Sequence, residues 1–264
     1  LEKKEGVNMS IIDVIQLQYD VNKVTILKDI DLTFEAGKFY SIVGPNGSGK
    51  TTLIKNIIKY LNPSEGKVII ENKDINKIRA KEFANIISYV PQDTALEMEF
   101  SCYDVVMMGR NNKINFLGVE TNEDIKKVEE AMKATEILQL KDKLITEISG
   151  GERQRVLLAR AIAQDSRCII LDEPLSNLDI KYQLEIIDIL NKLRNLGKTI
   201  IAVLHDINLA LTYTDNTVIM KDGKVFDYGK TEDVINVKNI EEVYGVSCKI
   251  VSIEEVRHII FTRI

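Results

Sequence analysis

The sequence is short of the residues that divide, staple or bias a chain. Among 264 residues only four are proline, three cysteine and two histidine. So few prolines leave little material for a Pro-rich linker, and no repeat or low-complexity tract splits the chain. Cys102, Cys168 and Cys248 lie far apart with no CxxC or Cys/His metal spacing, which fits a reducing compartment and excludes a disulfide framework. No window approaches the roughly 20 uninterrupted apolar residues of a membrane-spanning helix. A basic excess is also missing: 35 Lys+Arg face 40 Asp+Glu, a net charge of −5, so no nucleic-acid partner is expected. The opening LEKKEGVNMS carries no apolar core or cleavage site of an export signal. Met9 reads as the native start, with residues 1–8 a non-native or disordered leader.

What remains is an ordinary globular composition, 45% hydrophobic and 28% charged. At this length about three-quarters of the unfolded surface can be buried, and one to two domains are expected. The N-terminal fifth reads as strands at 11–19, 24–34 and 39–43, the last running into a glycine-rich loop. Helical spacing follows over 51–61, with Leu53, Ile57 and Tyr60/Leu61 on one face. Further strands are read at 67–71, 85–90, 168–172 and 198–205. The last three are continuous apolar runs, as in parallel strands buried on both faces. Asp222-Gly223 between alternating runs marks a hairpin. Residues 122–140 place Ile125, Val128, Met132 and Leu138 on one helical stripe, with Thr121 and Asp124 suited to cap its start. A second helix is read over 152–164. A helical insertion thus interrupts an α/β alternation that argues for a doubly wound parallel sheet.

Three motifs carry chemistry. Gly44-Pro45-Asn46-Gly47-Ser48-Gly49-Lys50-Thr51-Thr52 satisfies GxxxxGK[ST] and sits between a strand and a helix. Such a loop offers successive backbone N–H groups and a helix N-terminus to phosphates. Its lysine reaches the β- and γ-phosphates, and its first threonine serves Mg²⁺. Asp172 and Glu173 end the buried run CIILDEP, at the strand edge where open α/β sheets bind ligands. Asp172 suits the Mg²⁺ shell and Glu173 the polarisation of an attacking water; alone, the pair would be an ordinary solvated turn. Ser149-Gly150-Gly151-Glu152 starts a helix. It reads either as a turn capping that helix or as a second anion site.

In this combination the sequence resembles the ATP-binding subunit of an ABC transporter, over roughly residues 10–245. The family's LSGGQ/E signature appears with Ile148 in place of leucine. The resemblance implies a P-loop NTPase (RecA-like) α/β core with an N-terminal antiparallel β subdomain and a helical insertion subdomain. The implied boundaries are one ABC ATPase domain over 9–245, with core 9–93 and 165–245, helical part 94–164, and a tail at 246–264. It further implies that two copies pair head-to-tail, each signature (Ser149, Gly150, Gly151, Glu152) completing the partner's site for ATP and Mg²⁺. Tyr19 resembles the adenine-stacking aromatic, and Gln92 the glutamine that contacts Mg²⁺ and relays to the membrane partner. Ser176-Asn177-Leu178-Asp179 resembles the loop crossing the dimer interface, and His205 the histidine that senses the γ-phosphate. Catalytic roles thus fall on Glu173, His205 and Gln92, and metal roles on Thr51, Gln92 and Asp172.

The segments 104–110, 172–190 and 204–225 and the run VYGVSCKIV resemble the ATPases of importers for iron–siderophore complexes, haem and cobalamin. Leu175, at a position often threonine, and a tail lacking the family's polar/Gly extension depart from that subgroup. The resemblance implies an ATPase on the cytoplasmic face of the membrane. It would be held there by separate permease subunits and served by a substrate-binding lipoprotein. Readings kept beside it are the ATPase of an exporter or another importer class, and a soluble ATP-switched assembly protein of the iron–sulfur type.

Overall fold

The computed structural model describes residues 9–92, 99–113, 119–176, 178–254 and 256–262. Two long strands, β1 (Ser10–Val21) and β2 (Val24–Glu35), pair antiparallel around Asn22 and Lys23, both in the left-handed region (φ 48° and 67°) as a tight hairpin requires. β4 (Glu65–Ile70) and β5 (Lys73–Asp74) extend this sheet in the order β2-β1-β4-β5.

The second sheet holds β3 (Phe39–Val43), β6 (Ile87–Val90), β7 (Cys168–Leu171), β8 (Thr199–Val203), β9 (Asn216–Lys221) and β10 (Lys224–Lys230), in the order β10-β9-β3-β8-β7-β6. All its pairings are parallel except the β9–β10 hairpin, which turns at Asp222-Gly223. Every residue of β3, β7 and β8 is buried, which explains their unbroken apolar runs. The pleat divides them between two cores. Phe39, Val43, Ile200 and Ala202 face the helical layer, whereas Tyr40, Ile42, Ile201 and Val203 face α1 (Lys50–Ile57) and the antiparallel sheet.

A helical layer of α3 (Cys102–Met107), α4 (Asn122–Ala134) and α5 (Gly150–Ala163) lies within 99–163, and α2 (Ala80–Ile86) leads into β6. The remaining helices are α6 (Ile180–Asn195), α7 (Ile207–Tyr213), α8 (Thr231–Val234) and α9 (Val237–Tyr244). Capping boxes start α3, α4 and α5 at Ser101, Thr121 and Ser149. The stripe expected over 122–140 differs in two respects. The helix α4 ends at Ala134, and Glu136 turns left-handed (φ 55°), so Leu138 falls in a separate 3-10 turn. Within α4 one position is also misplaced. Val128, Ala131 and Met132 are buried, but Ile125 is 37% exposed. Asp124 takes the inward place beside it because Arg110 Nε donates to its Oδ1 at 2.9 Å inside the layer. Likewise α1 stops at Ile57 instead of reaching Leu61. Lys59 turns left-handed (φ 61°), so Tyr60 points to solvent.

Residues 246–264, set apart as a tail on sequence, contain a hairpin of β11 (Ser247–Ile253) and β12 (Val256–Thr262). Cys248 and Ile259 belong to the helical-side core together with Ile240 and Val243 of α9. Residues 1–8 and Asn177 lie outside the described residues, as does the proposed junction at 93–94.

Candidate active site

β3 carries the chain through the core to Gly44, where it must pass the carbonyl of Met220 on β9. A Cβ at Gly44 (φ 150°) would lie 2.2 Å from that oxygen, so only glycine fits. The loop then folds on itself, the Ser48 N–H donating to the Pro45 carbonyl at 3.2 Å. Gly49 (φ 100°) precedes α1 without a side-chain cap, leaving the helix's first amides for a ligand. The buried Lys50 ammonium donates to the carbonyls of Gly44 (2.8 Å) and Pro45 (3.0 Å), which aims it across the loop. Burial lowers its pKa, while the Glu173 and Asp172 carboxylates pull the other way. A cavity of about 310 Å³ opens here, walled by Asn46, Gly47, Gly49, Lys50, Thr51 and Thr52, with Ile26 and Glu173.

From the end of β7, Asp172 continues the ladder through its N–H to the Val90 carbonyl at 2.9 Å. Its carboxylate is only 1% exposed and accepts from the Thr51 hydroxyl at 3.2 Å. Burial raises its carboxyl pKa against that hydrogen bond and the Lys55 and Lys50 charges. Tyr89 lies close to Asp172, and burial together with that carboxylate pushes the phenol up to about 12. Glu173 adopts φ 51°, a left-handed conformation unusual for glutamate that turns its side chain out of the strand direction. Three groups then hold its carboxylate: Gln92 Nε2 at 2.6 Å, Ser176 Oγ at 3.1 Å and His205 Nε2 at 2.7 Å. The ends of β6, β7 and β8 and the loop after β3 therefore converge on one spot. That spot is the carboxyl edge of the parallel sheet.

Other expected site residues stand elsewhere. Ser149 and Glu152 bond reciprocally as a helix cap, with Ser149 Oγ to Glu152 Oε2 at 2.8 Å, and neither borders the phosphate-loop cavity. Gly150 faces open space; a Cβ at Gly151 would sit 3.5 Å from Leu178. Asp179 is the exposed N-cap of α6 and makes no side-chain capping bond. Tyr19 is half-buried on β1 opposite Leu27 and is not a wall of the cavity, although Leu27 Cδ2 approaches Gly49 closely. Other supports besides Tyr89 escaped sequence reasoning. The Gly223 N–H donates to the Ser48 carbonyl at 3.2 Å, and Tyr244 lies against the loop at Gly44. The Asp-Gly turn signalled the hairpin but not its contact; nothing local in the sequence signals Tyr244.

Among the described residues no cluster of three or more His, Cys, Asp or Glu could hold a metal unaided. A hydroxyl touching one carboxylate does fit Mg²⁺, which keeps several waters and takes substrate phosphates as ligands.

A lysine-bearing phosphate loop beside a strand-end Asp-Glu pair, on a core of parallel strands, defines a phosphate-loop ATPase. The ABC transporter family model matches residues 27–176. The petrobactin import ATP-binding protein YclP of Bacillus subtilis is 35% identical over 88% of this chain and 92% of its own length. The manganese transport system ATP-binding protein MntA of Synechocystis is 36% identical over 89% of each. The dimeric structure of MJ0796, a bacterial ABC transporter cassette, superposes with a TM-score of 0.75 at 31% identity, over 83% of this chain and 98% of that one. The chain belongs to the ABC transporter family as an ATP-binding subunit: it is the ATPase of an importer. Among the described residues no helix is long and apolar enough to cross a membrane.

Proposed function

We propose that this ATPase powers import of an iron complex, a ferric siderophore or haem, or of cobalamin. Two copies would close on two MgATP and drive separate permease subunits at the cytoplasmic face, with a lipoprotein delivering the cargo. The observation that supports the mechanism best is the Glu173 carboxylate, held by Gln92, Ser176 and His205 beside the phosphate loop.

Lys50 and the open amides of α1 bind the phosphates. Glu173, on the wall of the phosphate-loop cavity, accepts a proton from the attacking water. His205 donates to Glu173 until a γ-phosphate competes for its Nε2. That exchange frees Glu173 for the water only when nucleotide is present. Thr51, Asp172 and Gln92 would hold Mg²⁺, which supplies charge neutralisation of the phosphates. Tyr19 would stack on the adenine. Ser149, Gly150 and Gly151 lie outside the phosphate-loop cavity of their own chain, which supports a role across a two-fold interface with Asp179.

The petrobactin relative supports the iron reading and the manganese relative opposes it. Uptake assays in a strain deleted for this gene decide between them. Loss of labelled ferric siderophore, haem or cobalamin uptake, with manganese uptake intact, is expected; loss of manganese uptake alone overturns the cargo assignment.

A further inference from the structure

The hairpin β11–β12 is fastened to the segment that carries His205. Asn208, three positions after that histidine, uses its side-chain amide as an extra peptide on the edge of β12. Its Oδ1 accepts from the Ile259 N–H at 2.7 Å, and its Nδ2 donates to the Ile259 carbonyl at 3.2 Å. Ile259 is buried, so these main-chain groups depend on Asn208 for partners. Asp206 caps α7 through the N–H groups of Asn208 and Leu209, making the histidine segment and the first turn of α7 one unit.

The same C-terminal segment reaches the phosphate loop at its other end. Tyr244, the last residue of α9, lies beside the loop at Gly44, whose carbonyl holds Lys50 and whose backbone passes the Met220 carbonyl, one residue before Lys221. Gly245 (φ 66°) then turns the chain from α9 into β11. A cavity of about 630 Å³ lies between the two attachments, with His205, Asp206, Tyr244 and Phe261 among its walls. Further bonds fix the segment to the core. Lys221 Nζ donates to the Glu242 carbonyl at 2.7 Å, and Asn239 Nδ2 donates to Asp227 at 2.7 Å.

We propose that residues 237–262 form a brace that sets the phosphate loop and His205 in register with each other, Asn208 and Tyr244 being its positioning residues. This rests on the ATPase reading of the site above and adds to it how two of its parts are held. Asn208 acts through the histidine, which matters once the γ-phosphate is engaged, so its loss falls on the chemical step. Tyr244 acts through the loop that binds the ground-state phosphates, so its loss falls on affinity.

The test uses the purified full chain and steady-state MgATP hydrolysis. Asn208→Ala is expected to lower kcat by about tenfold with KM within about twofold, as sub-ångström misplacement of a reacting group does. Tyr244→Phe, which keeps the ring, is expected to raise KM by about three- to tenfold with kcat nearly unchanged. The decisive arm is the double variant Asn208→Ala/His205→Ala. If Asn208 works through the histidine, it hydrolyses no more slowly than His205→Ala alone; a further tenfold drop means a general structural role and overturns the brace. Should Asn208→Ala fail to fold, Asn208→Asp, which keeps the acceptor for the Ile259 N–H, is run in the same cycle with the same outcomes. Lys50→Ala separates the two readings. Wild-type nucleotide binding in that variant defeats the site itself, whereas its loss alongside unchanged Asn208 and Tyr244 variants defeats only the brace.

Discussion

At the residue scale the account turns on three side chains at the end of β7 and across from it. Glu173 is the base of the proposed mechanism, and Gln92 and Ser176 both bond to its carboxylate. Glu173→Gln keeps the shape and the hydrogen-bonding capacity but removes the proton acceptor. Hydrolysis should fall by at least about a hundredfold while ATP affinity is retained, read by turnover beside fluorescent-nucleotide binding. Asp172 gives a prediction of the opposite sign for stability. Its folded-state pKa is raised by burial, so the ionised form is disfavoured by folding; the penalty is absent well below pH 3.8 and complete above the folded pKa. Asp172→Asn should therefore raise the melting temperature of the nucleotide-free protein at neutral pH, by about 2–4 °C per kcal/mol relieved. It should do nothing below the carboxylate range and should lose Mg²⁺-dependent hydrolysis. An unchanged or lower neutral-pH melting temperature contradicts this. These residues were legible because a strand end and a motif mark them. Tyr89, which lies close to Asp172, was not, since a tyrosine in a strand carries no such mark.

At the scale of elements, the helical layer is pinned by one buried ion pair. Arg110 joins Asp124 on α4 and, through Nη1, the Ala163 carbonyl at the end of α5, at 2.8 Å. Gly109 beside it permits the approach, since a Cβ there would lie 2.2 Å from the Arg160 carbonyl. Removing the guanidinium strands a buried carboxylate, so Arg110→Ala should cost about 3–5 kcal/mol in urea unfolding. The Thr121 hydrogen bonds, with Arg110, hold the Asp124 pKa below 3.8. The stability this supplies is present above that value and is lost as pH falls through the folded pKa, so wild type and variant should converge in acid. Sequence periodicity located α4 but placed Ile125 inward. Hydrophobic spacing counts apolar residues and is blind to a charged side chain drawn inside by a partner on another element. The parallel strands suffered no such error, because burial on both faces leaves no room for polar alternation. The brace at 237–262 was illegible for a third reason. Its contacts join residues 51 positions apart, Asn208 with Ile259, and no local pattern encodes them.

For the whole molecule, the phosphate loop and the Ser149–Glu152 turn each present something unfinished. One has open amides and a lysine held by carbonyls; the other is a capped helix start whose Gly150 faces open space. Asp179 and Ile180 stand exposed at the start of α6, the isoleucine 75% accessible, as expected of residues that meet a second copy. On the proposed reading the molecule is half of a nucleotide engine; the MJ0796 cassette, which shares its fold, is itself dimeric. Light scattering on Glu173→Gln is the most direct measurement, because blocked hydrolysis traps the closed state. With MgATP the account predicts a dimer of twice the chain mass holding two nucleotides, reverting to monomer when Ser149→Arg is added. A monomer that binds ATP normally, or a dimer indifferent to Ser149→Arg, would contradict it.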